Sequence, residues 1–314
     1  MPRLILWILP LLLAACSIFQ RPEPGPTIKL RPSGTPDVVI IGFAGRCASI
    51  TLQPCNPPFD NWSYLQDRGT QQAVIDAFNS LGYTTEYFNA SAYLYRHYSR
   101  VSKREDLGYL EAEAYLNRVV KDWVADYANP TRIVLLAHSH GTVWASLLAW
   151  NHPDVKFDYF ISLDGICFWW PEDNLKKNRI IESYYDPLGL RRPWPLNPEE
   201  GETACASKEL GGKDVNDVFP ENVYYGLEAI SKDVIGLNVN YLQDHDPNIR
   251  ADGSKRRIWT IKSRTEDHSE VTNPAGPAMH WVADAIKALK VPKDGEAVPR
   301  LIQLVPQNRS FVYY

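Results

Sequence analysis

A mostly parallel β-sheet flanked by helices is the fold this 314-residue sequence predicts. Three observations carry the prediction. Short β-branched runs alternate with amphipathic stretches of helical period. The runs are apolar at nearly every position, as strands covered on both faces must be. Glycine or an Asn-Pro pair closes several of these segments, where a chain changes direction.

The elements follow in order. "DVVIIGF" (Asp37 to Phe43) is a buried strand ending beside glycine. "GTQQAVIDAFNSLG" has apolar residues at helical spacing and a terminal glycine, and "YTTEYFNA" then alternates as a strand does. "REDLGYLEAEAYLNRVVKDWVADYANP" reads as one long amphipathic helix stopped by Asn-Pro. "RIVLLA" is the next apolar strand, "TVWASLLAW" a helix ended by "NHP", and "FDYFISLDG" another strand. After Gly165 the chain turns rich in Trp, Tyr, Pro and Gly. Residues 165–256 read as a cap inserted over the sheet edge, with "NRIIESYY" and "NVYYGLEAI" as its candidate strands. Asp252-Gly253 predicts a hairpin whose second strand is "RIWTIKS", and "GPAMHWVADAIKALK" closes a single domain spanning 37–290. Residues 291–314 are left as a tail.

The N-terminus reads differently. Residues 1–15, "MPRLILWILPLLLAA", carry one arginine and an apolar run shorter than the roughly 20 residues a bilayer span needs, which is the pattern of a secretory leader. The junction "LAAC" resembles the bacterial lipobox, and that resemblance implies acylation of Cys16 and a lipid anchor in the membrane. Ser17 after it resembles the outer-membrane sorting pattern, so the expected location is the cell envelope, facing the periplasm. Residues 16–36, proline-rich and aperiodic, are expected to be a tether.

Composition excludes other classes. Net charge is −4 and the basic residues are not clustered, so no footprint for nucleic acid is present. Of five cysteines, Cys16 is set aside, and an even remainder in an oxidising compartment favours disulfides. Three pairings are possible; proximity suggests Cys47 with Cys55 and Cys167 with Cys205. No Cys or His spacing matches a zinc site.

Reactive groups in an open parallel sheet gather outside the carboxyl ends of its strands. "AHSHG" stands at such an end: Ala137, His138, Ser139, His140, Gly141. A serine between a strand and a helix, flanked two residues away by small side chains, matches the nucleophile elbow written GxSxG, with alanine in place of the first glycine. On this motif and the order of elements, residues 37 to 289 resemble the α/β-hydrolase superfamily, in particular its lipases and esterases. The resemblance implies a triad in the chain order Ser, acid, His. It makes Ser139 the nucleophile and places the base between the last strand and last helix, where "DHSEVTNP" supplies His268. For the acid it offers Asp164, after "FISLDG", in preference to Asp186, after "RIIESYY". It draws the oxyanion donors from the backbone of His140 and from "GFAGR", at Phe43 or Ala44, and requires no cofactor. His280 reads as a packing residue of the last helix.

The expected activity is cleavage of an ester or thioester, with a small-molecule or lipid ester as substrate. "FWWP" and "RRPWP" are compatible with an acyl-chain pocket, but also with aryl esters, peptidoglycan-linked acetyl groups or an amide. Two rivals stand beside it. His138 and His140 could ligate a metal ion if the strand continued through Ser139, but a helix starting there would prevent their convergence. The same fold could also serve as a non-catalytic binding module.

Overall fold

A computed structural model describes residues 29–45, 64–99, 103–167, 204–205, 210–232, 247–289 and 311–313. Its centre is a seven-stranded sheet formed by β1 (Val38–Phe43), β2 (Thr85–Ala90), β5 (Arg132–His138), β6 (Phe157–Leu163), β7 (Val223–Ile230), β8 (Ile258–Ser263) and β9 (Phe311–Tyr313). The spatial order is β2-β1-β5-β6-β7-β8-β9, parallel except for β9, which runs antiparallel to β8. A separate two-stranded sheet pairs β3 (His97–Ser99) antiparallel with β4 (Arg104–Asp106).

The apolar runs are explained by two cores. Val39, Ile41 and Phe43 face one side of β1, where they join α3 (Tyr109–Val119) and α4 (Gly141–Asn151). Val38 and Ile40 face the other, with α2 (Thr70–Asn79) and α5 (Pro277–Ala288); α1 (Tyr64–Asp67) adds Tyr64 and Leu65. Alternation across the pleat sends successive side chains into different layers, so no position can be polar without cost. Helix α4 is buried from Gly141 to Ala149, which accounts for the weak polar face of "TVWASLLAW". The chain leaves β1 towards β2 and returns to β5 on β1's other side. The order therefore reverses between β1 and β5, the kind of position outside whose carboxyl ends open parallel sheets place their sites.

Several expectations change. "NVYYGLEAI" is the sheet strand β7, paired with β6 and β8, and not part of a cap. The Asp252-Gly253 turn forms, with Arg250 N–H donating to Ser254 O at 2.7 Å, but no hairpin results because β8 pairs with β7 and β9. The long helix expected from Arg104 starts only at Tyr109: Arg104–Asp106 is strand β4, Gly108 is extended, and the helix ends in a widened turn over Val120–Val124. The tail contributes β9. The end of the expected tether lies against the domain, with Arg31 paired to Asp37 and Lys29 O accepting from Ala128 N–H at 2.9 Å. Cys16, Cys47, Cys55, Asp186, the run "NRIIESYY" and most of the cap fall outside the described residues. Among those described, no helix is long and apolar enough to cross a membrane.

Candidate active site

Strands β5 and β6 end side by side, with His138 opposite Leu163. The next residue of each chain, Ser139 and Asp164, turns to positive φ, at 56° and 45°. A left-handed residue lets a strand turn sharply, at a cost of about 1–3 kcal/mol for a side chain other than glycine. The turns hold one another: Ser139 N–H donates to Leu163 O at 3.1 Å, and Asp164 N–H to Ala229 O at 2.7 Å. Ser139 O then accepts from Thr142 N–H at 3.0 Å and from Thr142 Oγ1 at 2.6 Å, which starts α4 at once.

Crowding at this elbow falls on glycines other than the missing first one of the motif. A Cβ on Gly141 would stand 2.2 Å from Phe43 O, and one on Gly45 would stand 2.4 Å from Ser139 Cβ. Ala137 is fully buried in the sheet, in register with Phe43 and Ser162, and its methyl group belongs to the core. Room at the turn is therefore made by Gly45 and Gly141.

His268 lies in the loop between β8 and α5. Its Nδ1 is 2.6 Å from Asp164 Oδ2, with the carboxylate side chain 1% exposed and the imidazole 28% exposed, so the acid is sealed while the ring can be reached. Asp164 also accepts from Ser231 N–H at 2.6 Å and from Ser231 Oγ at 2.8 Å. A carboxylate accepts, so this contact places a hydrogen on Nδ1, and in the neutral ring the lone pair is then on Nε2, the tautomer a general base needs. The loop itself is tied down. Asp267 Oδ1 accepts from the N–H groups of Ser269 and Glu270, and Glu266 Oε2 accepts from Ala278 N–H at the start of α5. Burial pushes the Glu266 carboxyl up from its ordinary value.

The neighbouring histidines differ. His138 is buried, and its ring centroid lies 4.6 Å from that of His268. Its Nδ1 meets Tyr64 Oη and its Nε2 is 2.7 Å from His268 O. Burial, reinforced by the nearby His268, Arg68 and His140, lowers its pKa well below the ordinary value. His140 is the N-cap of α4, at φ −58°, among the first amides that a helix does not use itself. His280 is exposed on α5 and does not pack in the core. Among the described residues no three His, Cys, Asp or Glu side chains gather as a metal site would need.

The early-loop donors require correction. Ala44 N–H donates to Ala90 O at 2.9 Å, and Gly45 N–H to Tyr64 Oη at 2.9 Å. Phe43 is still inside β1, paired with Ala137, and with Ala44 already committed to β2 its own N–H serves the ladder with β5. An amide turned into the sheet cannot also face an oxyanion, so neither Phe43 nor Ala44 supplies the donor.

Sequence reasoning also missed Ser231. It is the residue after β7, the strand beside β6, and both its N–H and its Oγ donate to Asp164. Recognising β7 as a sheet strand was the signal that could have found it. Close by, Cys167 and Cys205 form a disulfide with a Cα–Cα distance of 5.4 Å, which holds the chain just past Asp164.

No family model matches this chain, and no curated protein does. Solved structures similar to it include an esterase from the hyperthermophilic archaeon Pyrobaculum calidifontis, with 13% identity, 83% of this chain and 78% of that chain covered, and a TM-score of 0.40. Alpha/beta hydrolase domain-containing protein 10 from mouse has 16% identity over 83% of this chain and 97% of its own, with a TM-score of 0.38. Est1E from Butyrivibrio proteoclasticus, solved with ferulic acid bound, has 15% identity over 82% and 90%, with a TM-score of 0.36.

Proposed function

We propose that this protein is a serine hydrolase that cleaves an ester or thioester by acyl transfer. The observation that carries the reading is the Asp164 carboxylate 2.6 Å from His268 Nδ1, at the end of the strand beside the one that delivers Ser139. His268 Nε2 takes the Ser139 hydroxyl proton as Oγ attacks the carbonyl carbon, and the negative charge passes to the carbonyl oxygen. The imidazolium, balanced by Asp164, returns the proton to the leaving alcohol or thiol as the tetrahedral intermediate collapses. Water repeats the sequence on the acyl-enzyme and frees the acid and Ser139. The amide of His140, at the start of α4, is the donor assigned to the oxyanion.

The leader pattern and Cys16 support a lipid-anchored protein of the cell envelope, with access to lipid or small-molecule esters in the periplasm. A fluorophosphonate probe tests the activity. The folded, mature protein is expected to be labelled at Ser139, and Ser139→Ala to lose both labelling and hydrolysis of p-nitrophenyl esters with its melting temperature kept. Absence of labelling at Ser139 in the folded protein refutes the reading.

A further inference from the structure

A chain of hydrogen bonds with a fixed direction connects the two loops that flank Ser139. At one end Gly45 N–H, whose Cα lies against Ser139, can only donate, and it donates to Tyr64 Oη. At the other end His268 O can only accept, and its partner is His138 Nε2 at 2.7 Å. His138 Nε2 must therefore carry a hydrogen. The Tyr64 hydroxyl, having accepted from Gly45, is free to donate to His138 Nδ1, which must then hold a lone pair. The His268 end requires Nε2–H, and donation from Tyr64 to Nδ1 completes the chain as the neutral Nε2–H form of His138.

The surroundings support that state. His138 is buried, its ring packs against that of His268, and its pKa is lowered by burial first, then by His268 and Arg68. Tyr64 and His138 meet edge to face with centroids 5.6 Å apart, and the Arg68 guanidinium lies 4.9 Å from the Tyr64 ring centre. The same short segment grips the base loop again further on. Arg68 Nη1 donates to Ser269 O at 3.1 Å and to Thr272 Oγ1 at 2.8 Å, and Thr70 Oγ1 donates to Thr272 O at 2.5 Å. The loop that carries His268 is thus held from outside by residues 64–70 and from the elbow by His138.

We propose that Tyr64 and His138 are positioning residues, a strut in which His138, donating through Nε2–H, fixes the His268 backbone relative to Gly45 and so sets the aim of the base at Ser139. Neither residue exchanges a proton with substrate. The inference rests on the reading of His268 as base, but the tautomer of His138 and the order of its loop do not depend on turnover.

The test uses full-length wild type with His138→Ala, His138→Gln and Tyr64→Phe. Nitrogen-15 histidine spectra are expected to show His138 as the Nε2–H tautomer without titration from about pH 5 to pH 8. The downfield proton of His268 Nδ1–H against Asp164 should be sharp in wild type and His138→Gln, and broadened or lost in His138→Ala. Glutamine keeps an N–H donor for His268 O, so its kcat should stay within a few-fold of wild type. Alanine should lower kcat by about 10–100-fold, the range seen for outer-shell partners, with KM little changed. Tyr64→Phe should fall between them. An Nδ1–H or titrating His138 overturns the strut, as does equal loss in the glutamine and alanine variants, or wild-type kcat in folded His138→Ala. If wild type neither hydrolyses esters nor takes the probe, the hydrolase reading fails, while the two spectroscopic readouts still decide the strut.

Discussion

The two ends of the sheet solve opposite problems with similar residues. At the amino end, charges close on one another. Asp37 accepts from Arg31, from Thr84 N–H and from Thr84 Oγ1, and Arg132 pairs with Asp158 at 3.3 Å. Arg250, fully buried, donates to the carbonyls of Pro220, Val223, Tyr224 and Arg256, and burial pushes its pKa down to about 10. At the carboxyl end, two adjacent strands finish in left-handed residues, backbone crowds onto Gly45 and Gly141, and two imidazoles lie ring against ring. The amino end spends its polar groups on holding strands together. The carboxyl end concentrates strain and titratable groups, as sites of chemistry do.

The largest break in that contrast should come at Gly141. Alanine there puts a Cβ 2.2 Å from Phe43 O and 2.7 Å from Ala44 O, both backbone atoms that cannot rotate away. The elbow must shift, and a displacement near 1 Å costs on the order of 100-fold in rate. Ester hydrolysis and fluorophosphonate labelling of Gly141→Ala measure it, and rates near wild type would mean that the crowding is not functional.

At the other end Arg250→Met should do the reverse. It leaves several buried carbonyls without donors and should cost about 3 kcal/mol or more, read from urea unfolding, while the rate of labelling per folded molecule stays unchanged. Lost labelling in folded Arg250→Met would show that the two ends are not independent.

The smallest effect concerns pH. The pKa of His138 is lowered in the folded chain from the ordinary value of 6.5. As pH falls through that value the unfolded chain takes up a proton that the folded one refuses. Stability is therefore complete above about pH 6.5 and declines below it, by up to about 1.4 kcal/mol per pH unit, until the folded histidine also protonates. Unfolding midpoints at descending pH should show this slope in wild type and a flatter one in His138→Gln; equal slopes would assign the acid sensitivity elsewhere.

The contrast also explains what the sequence could reveal. Strands β1, β5 and β6 were legible because burial on both faces leaves unbroken apolar runs, and the strand-end positions of Ser139 and Asp164 because each directly follows such a run. Strand β7 was misread as cap because it arrives after a long Pro- and Trp-rich stretch and carries polar residues such as Glu228. The wrong oxyanion donors came from counting loop residues without knowing which amides the β2 and β5 ladders had taken. Tyr64, His138 and Ser231 act through contacts 67 to 130 residues apart in sequence, and no local pattern records those.

The left-handed turn at Asp164 also bears on how such a chain can drift. Few side chains tolerate that conformation, and Asp and Asn are foremost among those other than glycine. A single-base change converts one into the other. Asparagine would keep the turn and could still accept from Ser231, yet would supply no negative charge to His268. On the proposed hydrolase reading, position 164 is therefore one base away from losing the charge that faces His268 while the turn and its bonds to Ser231 are kept.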